Sequence, residues 1–252
     1  MQSGRLFLHS LDIDFFKELR REAYVKAIGT KLATDNVVGT FGEVDEAFLR
    51  AFSLVPYPIV SVDGFIYQYG EVNADCDAIN STRIYLETGK CPILFSSKFI
   101  VHTNLCPIFV EKISKVTDKE FVRFEDVSEF LEKNGFSFDD EIYNEKKKLC
   151  DTIDEKLQFL EKTNIDSRLL SYAKFYLSYE PELEKRIDIL NEMINEYEFI
   201  DNERKVVRAL CPYGILDGID AENYSVIEST ENADYAPDKC AFCNKKYIKY
   251  EV

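Results

Sequence analysis

The stretch from Val37 to Val60, VVGTFGEVDEAFLRAFSLVPYPIV, decides the fold class. It opens with an apolar run that ends at a glycine, which is typical of a short buried strand. The spacing of the apolar residues in Val44–Phe52 predicts a helix, and the apolar run Pro56–Val62 predicts the next strand. A strand, a helix and a second strand in this order form the unit from which parallel sheets are built, so we expect an α/β protein.

Similar alternation surrounds this unit. We expect a helix over Ser10–Ala33, capped by Ser10 or Asp12, and another from Asp77 that stops at Gly89. The remaining predicted elements are strands over Ser97–His102 and Glu120–Phe124 and a helix over Cys106–Val116. Residues 1–126 are therefore predicted to form a Rossmann-like lobe around a parallel sheet.

The pattern changes after residue 126. Residues 127–201 carry apolar side chains every three or four positions among many charges, with breaks near Gly135, Asn164 and Pro181. This spacing predicts a helical segment whose charged faces are solvated. Residues 202–252 return to strand-like runs at Val206–Leu210 and Ser225–Glu228, so we expect a short second α/β lobe that ends with a CxxC motif.

Charge and hydropathy exclude several classes of protein. The formal net charge is −15, which argues against nucleic-acid binding because that function needs a basic face. No apolar run approaches the ~18 residues that cross a bilayer, and we see no signal peptide, so we expect a cytoplasmic protein that does not bind membranes. The seven cysteines are irregularly spaced, a pattern that favours metal binding or redox chemistry over a disulfide framework in such a chain.

The positions of the cysteines indicate where a metal would bind. Cys106 follows a predicted strand and opens a helix, and Cys76 opens another helix. Ligands bind beyond the carboxyl ends of the strands in open α/β sheets, so these two thiols are candidate metal ligands. Cys211 follows the strand of the second lobe, and the spacing of Cys240 and Cys243 lets two thiolates reach one ion.

Other residues are weaker candidates. His102 is either a proton donor beside the metal or a hydrogen-bonded histidine at the end of a strand. Gly39 and Gly42 do not complete a dinucleotide fingerprint, which argues against a nicotinamide dehydrogenase. Together with Gly214 they remain candidate contacts to a cofactor.

Five further residues are predicted to have structural roles. Cys91 and Cys150 lie in ordinary apolar or helical contexts, so we expect them to pack in the protein interior. Glu43, Asp45 and Glu46 are expected to be charges at the start of a helix rather than members of a site.

Several of these motifs resemble the 2-hydroxyacyl-CoA dehydratase family, which includes 2-hydroxyglutaryl-CoA dehydratase and benzoyl-CoA reductase subunits. Val37–Val60 resembles the opening strand, helix and strand of that family. The segments CDAINSTRIYLETGK from Cys76 and IVHTNLCPIFVEKI from Ile100 look like its first two cysteines with their helices. The helical middle and the segment LCPYGILDG from Leu210 fit the order of the family.

The resemblance implies a function. In the family, two Rossmann-like lobes hold a 4Fe–4S cluster through three cysteines, and the cluster passes an electron from an ATP-driven activator protein to a CoA thioester. Cys76 and Cys106 match the first two ligands. The strand that precedes the family's third cysteine continues here into Ser229 and Thr230, so Cys211, Cys240 or Cys243 is expected to be the third ligand.

The resemblance therefore predicts a lyase-like subunit with a shortened second lobe that works with a homologous subunit. Two other hypotheses remain open. In the first, the chain is a non-catalytic partner or scaffold of a catalytic homologue. In the second, it is a structural zinc protein in which the C-terminal cysteines bind zinc and so stabilise the second lobe.

Overall fold

The structure is a computed structural model. It describes residues 11–42, 44–59, 64–73, 77–103 and 107–200, together with three strands at residues 206–209, 226–229 and 249–251.

A four-stranded parallel sheet is the centre of the first lobe. Its strands are β1 (Val37–Phe41), β2 (Val55–Pro58), β3 (Ile100–His102) and β4 (Phe121–Arg123). They lie in the order β2-β1-β3-β4, and all three neighbouring pairs are parallel. This arrangement confirms the predicted α/β class with a Rossmann-like parallel sheet.

Nine helices occur in the described residues. Six accompany the sheet: α1 (Ile13–Ala33), α2 (Glu46–Ala51), α3 (Asp77–Glu87), α4 (Pro92–Ser96), α5 (Pro107–Ile113) and α6 (Val127–Lys133). Three belong to the helical segment: α7 (Asp140–Leu160), α8 (Ser167–Tyr176) and α9 (Leu183–Glu196). Short 3-10 turns lie at Gly64–Tyr69, Ser114–Val116, Phe124–Asp126 and Leu177–Tyr179.

Local signals account for several helix ends. Asp12 begins α1, because its carboxylate accepts a hydrogen bond of 2.9 Å from the backbone N–H of Phe15. Gly89 follows α3 with a φ of +65°, a conformation that glycine adopts without strain. The sequence did not predict α4, since its five residues are too few to show a helical period.

Helices cover both faces of the sheet. Val38, Val101 and Val122 point into a smaller core beneath α2 and α6. Val37, Phe41 and Ile100 point to the opposite face, where they join a larger core with side chains from α1, α3, α4 and α5. Successive residues of a strand face opposite sides, so β1 and β3 contribute to both cores.

The helical segment packs directly on the first lobe. Helix α7 lies against α2, α9 lies against α7, and α8 lies against α1. The 3-10 turn Leu177–Tyr179 packs beside β2, the edge strand of the sheet. Side chains of this segment share the larger core with the sheet, so the segment forms a layer of the same packed body.

A three-stranded sheet follows the helical segment. The sequence predicted strands at Val206–Leu210 and Ser225–Glu228, and the structure has β5 (Val206–Ala209) and β6 (Val226–Ser229) there, paired in parallel. The third strand, β7 (Lys249–Glu251), pairs antiparallel with β5 and was not predicted.

Across all of these elements, no helix in the described residues has the length and hydrophobicity needed to cross a membrane.

Candidate functional site

The strand order creates a switch point between β1 and β3. From β1 the chain crosses to β2 on one side, and it later returns to place β3 on the other side. Phe41 and His102, the last residues of β1 and β3, are register partners, so the two strands end side by side. Crossovers that leave in opposite directions open a crevice at this edge, which is where open α/β sheets bind ligands.

His102 stands at this edge and is almost entirely buried. Its Nδ1 lies 3.1 Å from the carbonyl oxygen of Thr103, a geometry in which Nδ1 donates the proton. Burial lowers the pKa of the imidazole, and the nearby Arg123 guanidinium lowers it further. The hydrogen bond to the Thr103 carbonyl and the charges of Asp126 and Glu125 act in the opposite direction without reversing the shift. The ring is therefore neutral near pH 7 and is positioned by its backbone contact.

The start of α5 lies over the end of β1. Phe109, the third residue of α5, packs edge-on against the ring of Phe41 with 5.4 Å between the ring centroids. Phe41 also stacks on Phe121 of β4, whose ring centroid lies 6.2 Å from that of His102. An aromatic floor therefore lies beneath the switch point and fixes the first turn of α5 there.

Residues 71–73, which lead to α3, are hydrogen-bonded to side chains of that helix. Asn80 is fully buried, and its side chain donates to the carbonyl oxygen of Asn73 and accepts from the backbone N–H of the same residue, at 3.1 and 2.9 Å. Arg83 donates to the carbonyl oxygen of Glu71. These hydrogen bonds hold residues 71–73 beside the first two turns of α3. Helix α3 in turn packs against α5 on the same face of the sheet.

The predicted metal ligands lie outside the described residues. They are Cys76, Cys106, Cys211, Cys240 and Cys243. Cys76 directly precedes α3 and Cys106 directly precedes α5, and these two helices pack together. Within the part of the chain that the structure describes, no three His, Cys, Asp or Glu side chains are grouped closely enough to hold a metal ion.

The candidate glycines have different environments. Gly39 is buried in the middle of β1, and a Cβ built on it would lie 2.1 Å from Cδ1 of Ile59. Close packing of Ile59 therefore explains this glycine without a cofactor. Gly42 follows β1 at the switch edge with a φ of +83°, which explains the glycine turn seen in the sequence. Gly214 lies outside the described residues.

Two free cysteines lie within the described residues, and both have structural environments. Cys91 is buried at the start of α4, where its sulfur accepts a hydrogen bond of 3.3 Å from the backbone N–H of Leu94. Burial raises the pKa of the Cys91 thiol and raises that of Cys150 to about 11. Both groups are therefore protonated thiols near pH 7, which fits the predicted packing role.

The sequence did not predict a largely buried ionic cluster beside α2. Asp45 caps α2 by accepting from the backbone N–H of Phe48, as expected for a charge at the start of a helix. Glu46 has a second role, because both its oxygens accept from the Arg186 guanidinium, at 2.7 and 3.0 Å. Arg50 donates to the same carboxylate at 2.6 Å. Glu43, the third residue of the predicted set, lies outside the described residues.

No protein-family model matches this chain, and no curated protein matches it at a significant level. The resemblance to the dehydratase family rests on the sequence motifs quoted above.

Proposed function

We propose that the crevice beyond β1 and β3 holds an iron–sulfur cluster through Cys76, Cys106 and one of Cys211, Cys240 or Cys243. One observation carries the proposal. The parallel sheet has its switch point between β1 and β3, and α5, which directly follows Cys106, begins over the end of β1. Packing of α3 against α5 supports Cys76 as the second ligand, since Cys76 directly precedes α3.

The same proposal extends to the reaction. The three thiolates would hold a 4Fe–4S cluster, which would supply one-electron transfer and Lewis-acid chemistry to a CoA thioester. His102 keeps a proton on Nδ1, and its neutral ring at the strand end is the side chain that we assign beside the cluster. The packed rings of Phe41, Phe109 and Phe121 form an apolar surface beneath the proposed cluster and keep water away from that side of it.

In this proposal the chain is a subunit of a 2-hydroxyacyl-CoA dehydratase-like lyase in the cytoplasm, where thiols stay reduced. A homologous subunit completes the walls around the CoA thioester, and an ATP-driven activator protein supplies the electron. This assignment of partners rests on the resemblance of the sequence motifs.

Metal analysis of protein purified without oxygen tests the proposal. We expect a brown protein that contains iron and acid-labile sulfide in nearly equal amounts. Cys76→Ser and Cys106→Ser should each remove or alter the cluster and its electron paramagnetic resonance signal after reduction. Cys150→Ser is the matched control, because this thiol is half-buried in α7 and should leave the cluster unchanged.

Folding must be compared by circular dichroism in every variant, since a buried hydroxyl without a partner costs roughly 1–3 kcal/mol. Normal iron and sulfide in folded Cys76→Ser and Cys106→Ser proteins would refute the assigned ligands. A colourless protein with one zinc per chain, and no iron after reconstitution, would identify the structural zinc protein instead. A metal-free protein that binds a catalytic homologue would identify the scaffold.

A further inference from the structure

Helix α1 is apolar on two opposite faces. One face, with Phe16, Leu19, Ala23 and Ala27, is buried in the larger core. The opposite face exposes Val25, Ile28 and Leu32, residues that are 73%, 38% and 82% accessible. Phe95 of α4, a helix that packs against α1, is 64% exposed. We call these four side chains the α1 stripe, and a group of exposed large apolar side chains is typical of an interaction site.

The stripe is symmetric about its own centre. Val25 and Leu32 stand at equal distances from the midpoint between Ile28 and Gly29. A two-fold axis through that midpoint, perpendicular to the helix, therefore brings a second α1 antiparallel to the first. Val25 of each copy then meets Leu32 of the other, and Ile28 of each copy meets Gly29 of the other.

Gly29 supplies the space that such a crossing requires. A Cβ built on it would have no atom within 4 Å, so nothing in the part of the chain that the structure describes explains a glycine here. Glycine in the middle of an exposed helix is unfavourable relative to alanine. At the crossing point, however, the missing side chain leaves room for Ile28 of the second copy and allows the helices to approach closely.

The charged residues beside the stripe are already paired within the chain. Lys26 contacts the buried Glu180 at 2.5 Å, and Lys31 contacts Asp35 at 3.0 Å. The Lys31 ammonium also lies over the Phe95 ring, 5.7 Å from its centroid. Each of these two lysines therefore keeps its counter-charge when a partner covers the stripe.

We propose that the α1 stripe is the interface between two copies of this chain, joined by an antiparallel α1–α1 contact. A contact made by one helix face per copy is small beside specific interfaces, which typically bury about 800 Å² per partner. The dimer is accordingly weak and depends on protein concentration. This inference is independent of the proposed iron–sulfur function.

Sedimentation equilibrium tests the existence and place of the interface. Between about 1 μM and about 1 mM, the average mass of the unmodified protein should rise from one chain toward two. Val25→Glu should weaken the association at least about tenfold, because a carboxylate would be buried against Leu32. Val72→Glu is the matched control, since Val72 is 60% exposed but lies outside the stripe.

A protein that remains monomeric at all concentrations overturns the proposal. A dimer that Val25→Glu does not weaken more than Val72→Glu does also overturns it, and assigns the interface to another surface.

Mixing two variants tests the antiparallel register. Val25→Lys and Leu32→Glu should each be monomeric alone, because each homodimer would bury two unpaired charges. Mixed together they should form a heterodimer, in which one contact pairs the new lysine with the new glutamate and the other keeps Leu32 against Val25. A parallel or shifted pairing cannot restore association in this way, so failure of the mixture to associate refutes the proposed register.

Gly29→Ala separates folding from association. The open space around Gly29 accommodates a methyl group, and alanine favours the helix, so the melting temperature of the dilute monomer should rise. The same methyl group occupies the space needed by Ile28 of the second copy, so the dimer should weaken. An unchanged or tighter dimer would show that Gly29 is not at the crossing point.

Discussion

Arg186→Met removes a buried cation that joins the helical layer to the sheet and its helices, and we expect it to be among the most destabilising substitutions in α9. The side chain of Arg186 is only 7% exposed. It donates to both oxygens of Glu46, and its Nε donates to the carbonyl oxygen of Glu180 at 2.5 Å. Methionine fills a similar volume but satisfies none of these acceptors.

The magnitude follows from burial. Removing one partner of a buried ion pair typically costs about 3–5 kcal/mol, because the other charge remains desolvated. Glu46 keeps Arg50 as a second partner and its side chain is 18% exposed, so we expect a cost at or just below the lower end of that range, about 2–3 kcal/mol of unfolding free energy. Urea unfolding followed by circular dichroism measures this difference directly.

The neighbouring residue is the matched control. Lys185 pairs with Glu182 on the surface, where both side chains are about half exposed. Exposed pairs contribute about 0–1 kcal/mol, so Lys185→Met should change the unfolding free energy little. If Arg186→Met costs no more than Lys185→Met, the buried pair does not hold the helical layer in place.

The dependence of the unfolding free energy on pH, measured below neutral pH, gives an independent test of this ion pair. Burial tends to raise the pKa of Glu46, but the Arg186 and Arg50 guanidinium groups outweigh it and lower the pKa overall. A lowered folded pKa contributes stability above the unfolded pKa, and this contribution is lost as the pH falls through the folded value. The unmodified protein should therefore lose more stability on acidification than Glu46→Gln. Equal slopes would contradict this ionic assignment.

Two further predictions concern the switch point. Gly39→Ala should lower the unfolding free energy by about 1–3 kcal/mol, because its Cβ would lie 2.1 Å from Cδ1 of Ile59. Ile59→Val, which removes that atom, should recover part of the loss in the double variant, and no recovery would exclude the clash. The NMR signal of His102, assigned with His102→Gln, should titrate below the ordinary histidine pKa. The unfolding free energy should then fall as the pH drops through the pKa of His102 in the unfolded chain. If the pKa of His102 in the folded protein were raised instead, the unfolding free energy would increase over that pH range.

Much of the fold was predictable from local patterns. The apolar run, glycine turn and helix of Val37–Val60 are short-range signals, and the structure confirms β1, α2 and β2 there. The sequence predicted Ser10 or Asp12 as the cap of α1 and Gly89 as the end of α3, because caps depend on neighbouring backbone groups, and the structure selects Asp12. Placing the candidate site after β3 needed only the rule that ligands bind at the carboxyl ends of parallel strands.

By itself, the sequence determined the α/β class, most of the succession of strands and helices, and the cysteines expected at the strand ends, because these depend on residues close together along the chain. Only the tertiary structure decided that β3 lies beside β1, and that Glu46 pairs with Arg186, 140 positions away. It also showed that Gly39 makes room for Ile59. Such contacts depend on which surfaces pack together across the whole chain, and burial then decides which charges must pair and which side chains must be small.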